Sequence, residues 1–545
     1  MSENEYRPTG WTGKRIPTIW VDYATGRGVT DAGTSVRPNV GERRKKPNLT
    51  DMLDTAANYG AERIMYSGAV PKAVDGQPHW LYVDTPGWKA GGHWLKPPVT
   101  GRFERATTGQ KVEIRMVDEW FGGLDLTPAQ AREAWDVLEA TLHKIDDRAG
   151  LLKTPGLTGT NLWAWSLPKN VDPFPVSADI AEEIHLTAGQ HHVEHLVAGP
   201  NFSKHDDCVP LIDPKVTPEI QTFAHVDGRF MYASLGRALG VGPGVRLGEG
   251  AAQELFDTDP YVRARFEVRF TIPAGWNHVG LLPMKHVNVS DGWYFPNRPG
   301  TTGVTWVDAS EAFVARAWGW KIEPLQAVKF QTARVFDTFA SRIISARANL
   351  DKLDHLPTQL KRAVSDALRQ ILIQGIGSLA SRGRGKTVVV TSAFEIPPEY
   401  QHTMDRHGEL FSYVVPSEPT DRQKRFYHPE LSAQIWGRGR AKVLSAPTAF
   451  DGKGQASAGA LNVNPRTLIG VNGDAIYTTA TPHWALPAEH GGGDDGKAGR
   501  LRLVGVETGS MQTPATLDAR RALTKRAAKK GPLSAWTTFE SEEVI

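Results

Sequence analysis

A tight polar corner between two strand-like runs constrains the fold of this chain more than any other stretch. Residues 467–471 lead into Asn472-Gly473, and residues 475–479 lead out of it. Asn-Gly is the strongest short-range signal for a two-residue β-hairpin, because both residues tolerate positive φ. Asp474 follows the corner directly. A carboxylate there is badly placed for a core and well placed to hold a divalent metal, although an ordinary hairpin with a solvated aspartate would give the same pattern.

Length and composition exclude several classes of protein. A chain of 545 residues predicts three or four units of ~150 residues each. Hydrophobic residues make up 40% and charged residues 23%, as in soluble globular proteins. No apolar run approaches the ~20 residues of a membrane span, and the polar N-terminus carries no secretion signal. The single cysteine, Cys208, excludes a disulfide framework and fits a reducing compartment. We therefore expect a cytoplasmic protein without a membrane segment.

Secondary structure follows partly from periodicity. Thr127-Pro128 predicts a helix start, with proline at the first helical position, and residues 358–380 show the apolar face of a second helix. Residues 80–83 are typical of a strand, and residues 158–168 of a turn followed by an aromatic segment. The glycines at 240, 242 and 244 favour a loop.

A second acid-tipped strand, residues 223–227, ends in Asp227. Two carboxylates brought together on adjacent strands can hold a pair of Mg²⁺ (or Mn²⁺) ions for in-line phosphoryl transfer. The helix of residues 358–380 carries Lys361 and Arg369, and such a cationic helix could bind a triphosphate. Charge on the outer face of a helix is equally well explained by solvation. Because the net charge is only +3, any affinity for nucleic acid must come from local patches.

Two other motifs are weaker. His191, His192 and His195 suggest a metal site, but a zincin helix needs Glu directly after its first histidine, and Glu194 directly precedes the last one. Residues 380–387 match a loose P-loop pattern. A P-loop joins a strand to a following helix, whereas here a helix precedes and a strand follows, which disfavours a nucleotide triphosphatase.

Taken in order, these motifs resemble family B DNA polymerases, specifically the protein-primed branch of phages and linear plasmids. Residues 227–234 are similar to the first palm motif, D-x-x-S-L-Y-P-S, at Asp227, Tyr232 and Ser234. Residues 369–377 resemble the fingers motif, K-x-x-x-N-S-x-Y-G, and residues 471–477 resemble Y-x-D-T-D-S with its following strand. The resemblance covers about residues 150–515.

The resemblance implies roles for individual residues. Asp227 and Asp474 would be the catalytic metal ligands, and Tyr232 would lie under the incoming sugar and exclude a 2′-hydroxyl. Arg369, with Lys361 and Gly377, would bind the dNTP. The residues implied to contact DNA are Arg500, Arg502, Gly189 and Arg438. The implied partners are a DNA primer-template, dNTPs and, in this branch, a terminal protein.

Some positions depart from the family pattern. Residues 373–376 lack the Asn-Ser-x-Tyr of the fingers motif, and Asn472 replaces the first Asp of the third motif. Ala24 stands where the proofreading exonuclease has a metal-binding Glu two residues after Asp22. We therefore expect no exonuclease activity. A catalytically inactive, polymerase-like DNA-binding scaffold in replication or telomere maintenance is the main alternative to a polymerase, and an unrelated α/β protein is the third.

The expected fold class is α+β: a polymerase right hand of palm, fingers and reduced thumb, preceded by a degenerate exonuclease-like domain with an RNase H-like α/β fold. The expected segments are residues 1–150 (exonuclease-like), 151–260 (linker and first acidic palm motif), 261–350 (an insert resembling the terminal-protein region), 351–385 (fingers helix), 386–515 (second acidic palm motif) and 516–545 (reduced thumb or basic tail).

Overall fold

The computed structural model of the chain describes residues 15–38, 40, 46–71, 79–95, 99–168, 173–189, 194–196, 206–285, 292–350, 352–383, 385–416, 424, 426–450 and 454–532. The strands are β1 (Thr18–Asp22), β2 (Gly28–Thr30), β3 (Ser35–Val36), β4 (Arg63–Ser67), β5 (Trp88–Ala90), β6 (Gly101–Arg105), β7 (Lys111–Met116), β8 (His195–Leu196), β9 (Glu219–Gly228), β10 (Leu239–Leu247), β11 (Ala264–Thr271), β12 (Met284–Lys285), β13 (Trp293–Tyr294), β14 (Thr302–Asp308), β15 (Lys321–Ala333), β16 (Lys386–Val390), β17 (Asp405–His407), β18 (Leu410–Val415), β19 (Ala446–Phe450), β20 (Gly454–Ala458), β21 (Leu468–Asn472), β22 (Ala475–Thr478) and β23 (Leu501–Gln512).

The α-helices are α1 (Leu49–Asn58), α2 (Asp118–Phe121), α3 (Pro128–Ile145), α4 (Pro155–Ser166), α5 (Ala178–Thr187), α6 (Met231–Leu235), α7 (Glu249–Thr258), α8 (Ala309–Ala317), α9 (Asp337–Leu350), α10 (Thr358–Leu379), α11 (Pro429–Ser445) and α12 (Leu517–Lys530). None of the helices in the described ranges is both long enough and apolar enough to cross a membrane. The chain divides into two compact units: residues 1–167 with 341–427, and residues 168–340 with 428–545.

The first unit is built on a seven-stranded sheet of order β3-β2-β1-β4-β7-β6-β5. Its central strands β1, β4 and β7 are parallel, and its edge strands are antiparallel. The central strands are almost wholly buried, as expected for parallel strands covered on both faces. Helix α3 packs over β1, with Trp135 against Trp20 at a ring distance of 5.4 Å. This helix begins at Pro128 as predicted, since Thr127 caps it through Gln130 N.

Four buried charged side chains form a series of ion pairs that connects β4, β7 and α2. Arg63 on β4 pairs with Glu113 at 2.9 Å, Glu113 pairs with Arg115 at 3.0 Å, and Arg115 pairs with Glu119 at 2.8 Å. Each charge has a partner of opposite sign, so the burial of four ionised groups is offset by their mutual attraction.

Helix α10 packs closely on α4, which the sequence did not predict as a helix. Thr154 caps α4 and Pro155 occupies its first turn. A Cβ atom on Gly159 would collide with the carbonyl oxygen of Ile371 and stand 2.8 Å from Gly375 Cα. The two glycines therefore let the two backbones approach at a distance that no side chain would permit.

The second unit holds two larger sheets. One is an antiparallel four-stranded sheet of order β10-β15-β11-β14, and the other is a five-stranded sheet of order β23-β9-β22-β21-β8. The glycines at 240, 242 and 244 lie in β10 and not in the predicted loop. Gly242 and Gly244 adopt φ of +91° and +83°, and the register with β15 shifts between Val241 and Val245. Glycine here makes a bulge within a strand.

Two further predictions at the level of single elements differ from the structure. Residues 80–82 form a 3₁₀ turn and not a strand, because His79 Nδ1 accepts a hydrogen bond from Leu81 N at 3.2 Å. Residues 155–166 form α4 and not a turn. The predicted helix of residues 358–380 and the order helix-then-strand around residue 380 are confirmed, since α10 ends at Leu379 and β16 begins at Lys386.

We predict that Gly159→Ala destabilises the first unit. The added methyl overpacks the crossing of α4 and α10, which costs ~1–3 kcal/mol and lowers the midpoint of thermal unfolding by several degrees. Gly377→Ala on the same helix α10 is the matched control, because a Cβ there meets no atom within 4 Å. It should leave the midpoint unchanged or raise it slightly. Differential scanning calorimetry of both variants measures this, and equal effects would contradict the close crossing.

Acidification should also destabilise the first unit through His79. Burial, with the neighbouring His407 and His93, lowers the pKa of His79 from 6.5 to about 4. Below pH 6.5 the unfolded chain therefore binds a proton at His79 that the folded chain does not bind. The free energy of unfolding is highest above pH 6.5 in this respect and falls as the pH is lowered toward 4. His79→Phe should flatten the dependence of the unfolding midpoint on pH over this window. His143→Phe, on an exposed position of α3, should leave it unchanged.

Candidate active site

The five-stranded sheet of the second unit brings the two acid-tipped strands together. The predicted hairpin is present, but its turn lies one residue later than the Asn-Gly signal predicted. Asn472 ends β21 and pairs with Ala475, so the two turn residues are Gly473, with φ of +56°, and Asp474. Strand β22 lies antiparallel to β9, with Ala475 opposite Asp227. Asp474 therefore lies one residue from the position opposite Asp227, and their Cα atoms are roughly 6 Å apart from strand geometry. Both residues are half-buried at the same end of the sheet, where β9 ends and β22 begins; this end is called the sheet edge below.

Gly228 makes room for the Asp474 carboxylate. Gly228 N donates to Asp474 O at 3.0 Å, and a Cβ on Gly228 would stand 2.8 Å from Asp474 Oδ2 and 2.7 Å from Met231 Cβ. Any side chain at residue 228 would displace that carboxylate. Within the described ranges no group of three or more His, Cys, Asp or Glu side chains is arranged to hold a metal ion, so this edge offers a pair of carboxylates.

Tyr232 lies beside the hairpin corner. After β9 the chain reverses through Phe230, a non-glycine residue with φ of +49°, and enters α6. The Tyr232 hydroxyl would stand 3.2 Å from a Cβ on Gly473, and its ring atom Cε1 would stand 3.2 Å from a Cβ on Gly439. The ring therefore fits between two glycines, one in the corner and one on α11. A left-handed phenylalanine next to a candidate site is the kind of strained backbone that clusters at functional positions.

A polar layer that the sequence did not predict supports the face of the sheet that carries Asp227. Arg520 on α12 pairs with Glu194 at 2.5 Å, and its guanidinium lies 4.2 Å above the Tyr477 ring. Burial raises the pKa of Tyr477 to about 12, and the Tyr477 side chain is hydrogen-bonded to Asn472. Burial, with the charges of Arg520 and Arg502, lowers the pKa of His225 to about 4. These contacts link α12 to the corner and keep His225 neutral at pH 7.

Arg500 and its neighbours pair with the loop that precedes β23. Arg229 binds Asp494 through Nε at 3.0 Å and Nη2 at 2.6 Å, and Arg500 binds Asp495 at 2.9 and 3.1 Å. Arg229 N also donates to Arg500 O, and Gly499 N donates to Arg229 O, both at 2.6 Å. This loop is thereby fixed to the end of β9. Arg502 lies on β23 opposite Asp227.

Helix α11 carries two more cations toward this edge. Arg438 Nη1 donates to the carbonyl oxygens of Leu235 at 2.6 Å and Arg237 at 2.8 Å, so it closes the end of α6. Burial, with the charges of Arg500 and Arg438, lowers the pKa of Lys442 to about 8. Lys442 was not among the predicted site residues, because in sequence it is one basic residue among several.

The other predicted residues lie on other elements of the chain. Lys361, Arg369 and Gly377 lie half-buried on α10, in the first unit. Gly189 packs against Trp293, whose Nε1 would stand 2.8 Å from a Cβ at residue 189. Asp22 ends β1, and its Oδ1 accepts hydrogen bonds from Thr25 N at 2.9 Å and Thr25 Oγ1 at 2.8 Å. His191 and His192 lie outside the described residues.

The fold of the chain is similar to that of solved DNA polymerase structures. A solved structure described as Phi29 DNA polymerase complexed with primer-template DNA and incoming nucleotide substrates is similar, with a TM-score of 0.50 and 11% identity over 91% of this chain and 85% of that chain. A binary complex of Phi29 DNA polymerase with primer-template DNA gives a TM-score of 0.49 and 10% identity, over 88% of this chain and 81% of that chain.

No family model matches the sequence, and no curated protein matches it. The resemblance to the protein-primed branch of family B DNA polymerases is confirmed at the level of the fold. The predicted α+β class is confirmed as well, since the chain combines several sheets with helices in both units.

Proposed function

We propose that this chain is a template-directed DNA polymerase of the family B type, which adds dNTPs to a primer by two-metal phosphoryl transfer. The observation that carries the proposal is the adjacency of Asp227 and Asp474 at one sheet edge, with Tyr232 beside the corner. The Phi29 ternary complex contains primer-template DNA and incoming nucleotides, and we propose the same partners here. Protein priming with a terminal protein, for a phage or plasmid, follows from the family branch alone.

The donor set at this edge fits magnesium. Mg²⁺ prefers oxygen ligands and is usually held by one or two carboxylates together with substrate phosphates. Asp227 and Asp474 supply two carboxylates, and the lack of a side chain at Gly228 leaves room for the Asp474 carboxylate. Once bound, the divalent ions (Mg²⁺ or Mn²⁺) would activate the attacking 3′-hydroxyl and stabilise the leaving pyrophosphate.

The residues of the chain itself orient the reactants. Tyr232, packed between Gly473 and Gly439, would limit the space beside the sugar and so disfavour a 2′-hydroxyl. Arg369 and Lys361 on α10 remain predictions for binding the triphosphate, as does Gly377 for closing around it. Arg502 and Arg500 remain predictions for contacts with the primer strand. Arg438 would act by fixing the end of α6, because its Nη1 is engaged with two carbonyl oxygens.

The scaffold alternative is favoured by one feature, the loss of Asn-Ser-x-Tyr at residues 373–376. The presence of Asp227 and Asp474 at adjoining strand ends argues against it, since carboxylates are the groups with which proteins usually hold magnesium. The experiment below separates the two functions.

Wild-type protein should extend a labelled primer on a DNA template in the presence of dNTPs and Mg²⁺, whereas Asp227→Asn and Asp474→Asn should not. Loss of either ligand removes several kcal/mol of charge stabilisation, so the extension rate should fall by roughly a thousandfold or more. Asp147→Asn is the control, because its side chain is 96% exposed in the first unit. Wild-type protein that binds the primer-template without extending it would support the scaffold instead.

Tyr232→Ala should weaken the selection of deoxyribonucleotides. Removal of the ring opens the space beside the sugar, so the ratio of kcat/KM for a dNTP to that for the matching rNTP should fall by at least tenfold, about 1.4 kcal/mol. Tyr232→Phe retains the ring and should keep most of the selection. Single-nucleotide incorporation assays measure both ratios, and an unchanged ratio in Tyr232→Ala would remove Tyr232 from this role.

A further inference from the structure

The second unit contains a cavity that the proposed polymerase reaction does not use. Its volume is about 620 Å³, within the range of sites that bind small molecules. Among the described residues, those that line it are Val209, Pro210, Leu211, Trp276, Asn277, Asn297, Pro299, Asn464, Pro465 and Arg466. This lining set contains an arginine and neither an aspartate nor a glutamate. The charge of the cavity wall therefore favours an anionic ligand.

The cavity lies toward the end of the sheet opposite the candidate active site. Strands β9 and β21 both run antiparallel to β22, so they share one direction. Asp227 is near the end of β9, and the hairpin turn follows the end of β21. Arg466 instead precedes the start of β21, where Thr479 N donates to Thr467 O at 2.7 Å. Thr467 and Asn472 are roughly 16 Å apart along the strand. The cavity is therefore separate from the carboxylate pair.

Buried hydrogen bonds hold the wall of the cavity in place. Asn297 Oδ1 accepts from Val209 N at 2.7 Å, and Asn297 Nδ2 donates to the carbonyl oxygens of Val209 at 2.8 Å and His278 at 3.2 Å. The His278 ring is hydrogen-bonded through Nε2 to Val463 O at 3.0 Å. Burial lowers the pKa of His278, so its ring is neutral at pH 7. These bonds connect the segments around the cavity without any ligand.

Other polar groups at the cavity are not engaged in this way. Within the described ranges, neither the Asn277 side chain nor the Arg466 guanidinium has a hydrogen-bond or ion-pair partner. Asn464 Oδ1 accepts from Arg466 N at 3.0 Å, which leaves its Nδ2 without a partner in the same ranges. Trp276 Nε1 is buried and likewise donates to no described residue. A fixed wall with several unengaged polar groups is typical of a ligand site.

The chemistry of these groups indicates the class of ligand. A guanidinium matches the oxygens of a phosphate, asparagine amides match the donor and acceptor edge of a base, and an indole ring can stack on a base. We propose that this cavity binds a nucleotide. The phosphate contacts Arg466. The base lies against Trp276, and its edge faces the amides of Asn277 and Asn464. The nucleotide is either free or one unit of a single strand, since both present the same groups.

The first experiment measures binding of a free nucleotide without catalysis. Full-length protein is titrated with dAMP in EDTA by isothermal titration calorimetry, so that no divalent ion supports binding at the Asp227–Asp474 pair. Wild-type protein should bind dAMP saturably. Arg466→Gln should weaken this binding by roughly tenfold or more, since a charged phosphate contact is lost. Arg334→Gln, at another exposed arginine of the second unit, is the matched control and should bind as wild type does.

A fluorescent oligodeoxythymidylate, titrated in the same buffer, distinguishes the two sources of the nucleotide. If Arg466→Gln weakens dAMP binding and leaves strand binding unchanged, the cavity takes a free nucleotide. If wild-type protein binds no dAMP and Arg466→Gln weakens strand binding by about threefold or more, the cavity takes a unit of a strand. If Arg466→Gln binds both probes as wild type does, or if wild type binds neither, the proposal is overturned.

Two further variants separate this cavity from the candidate active site. Asn277→Ala removes an exposed amide without a described partner, so it should fold normally and weaken the probe that binds several-fold. Asp474→Asn should bind dAMP as tightly as wild type does, and a loss there would assign the nucleotide to the sheet edge and contradict the proposal. Wild-type protein that extends no primer would refute the polymerase function alone, because these titrations need no catalysis.

Discussion

The antiparallel register of β9 and β22 is the constraint on which the candidate site depends. Because Ala475 lies opposite Asp227, the hairpin corner must project beside the end of β9. A slip of one residue would turn every side chain of β22 to the other face of the sheet and shift the corner along β9. The register is fixed by burial on both faces, where Phe223, Val226 and Ile476 are fully inaccessible to solvent. The core of the sheet thus sets the distance between two carboxylates.

The sequence predicted those secondary-structure elements whose formation depends on neighbouring residues. The hairpin of β21 and β22 and the cap at Thr127 depend on adjacent residues, and the structure contains both, although the hairpin turn lies one residue later than predicted. Helix α4 was missed because it is buried on nearly every side, so it lacks the polar face that reveals a helical period. Strand β10 was missed because its glycines at positive φ are typical of loops, and only pairing with β15 makes them a bulge.

The candidate site likewise contains some features that the sequence predicted and others that it did not. Motifs in the sequence predicted that Asp227, Asp474 and Tyr232 would lie near one another, and the structure places all three at one sheet edge. The partners of the basic residues were not predictable, because in sequence Arg438, Arg500 and Lys442 are equivalent cations. Arg438 binds carbonyl oxygens at the end of α6, and Arg500 binds Asp495, whereas Lys442 Nζ and the Ser234 hydroxyl both lie over Gly499. Tertiary structure alone assigns those partners.

Charges of both signs lie close together at this end of the sheet. Asp227 and Asp474 place like charges on neighbouring strands, and Lys442 places a cation beside Arg500 and Arg438. The ion pairs of Arg229 and Arg500 with the loop at Asp494 and Asp495 hold the backbone in place, so neither group can relax away from its neighbours. Charged groups held in fixed positions are what a site needs to stabilise charge that develops on its substrate.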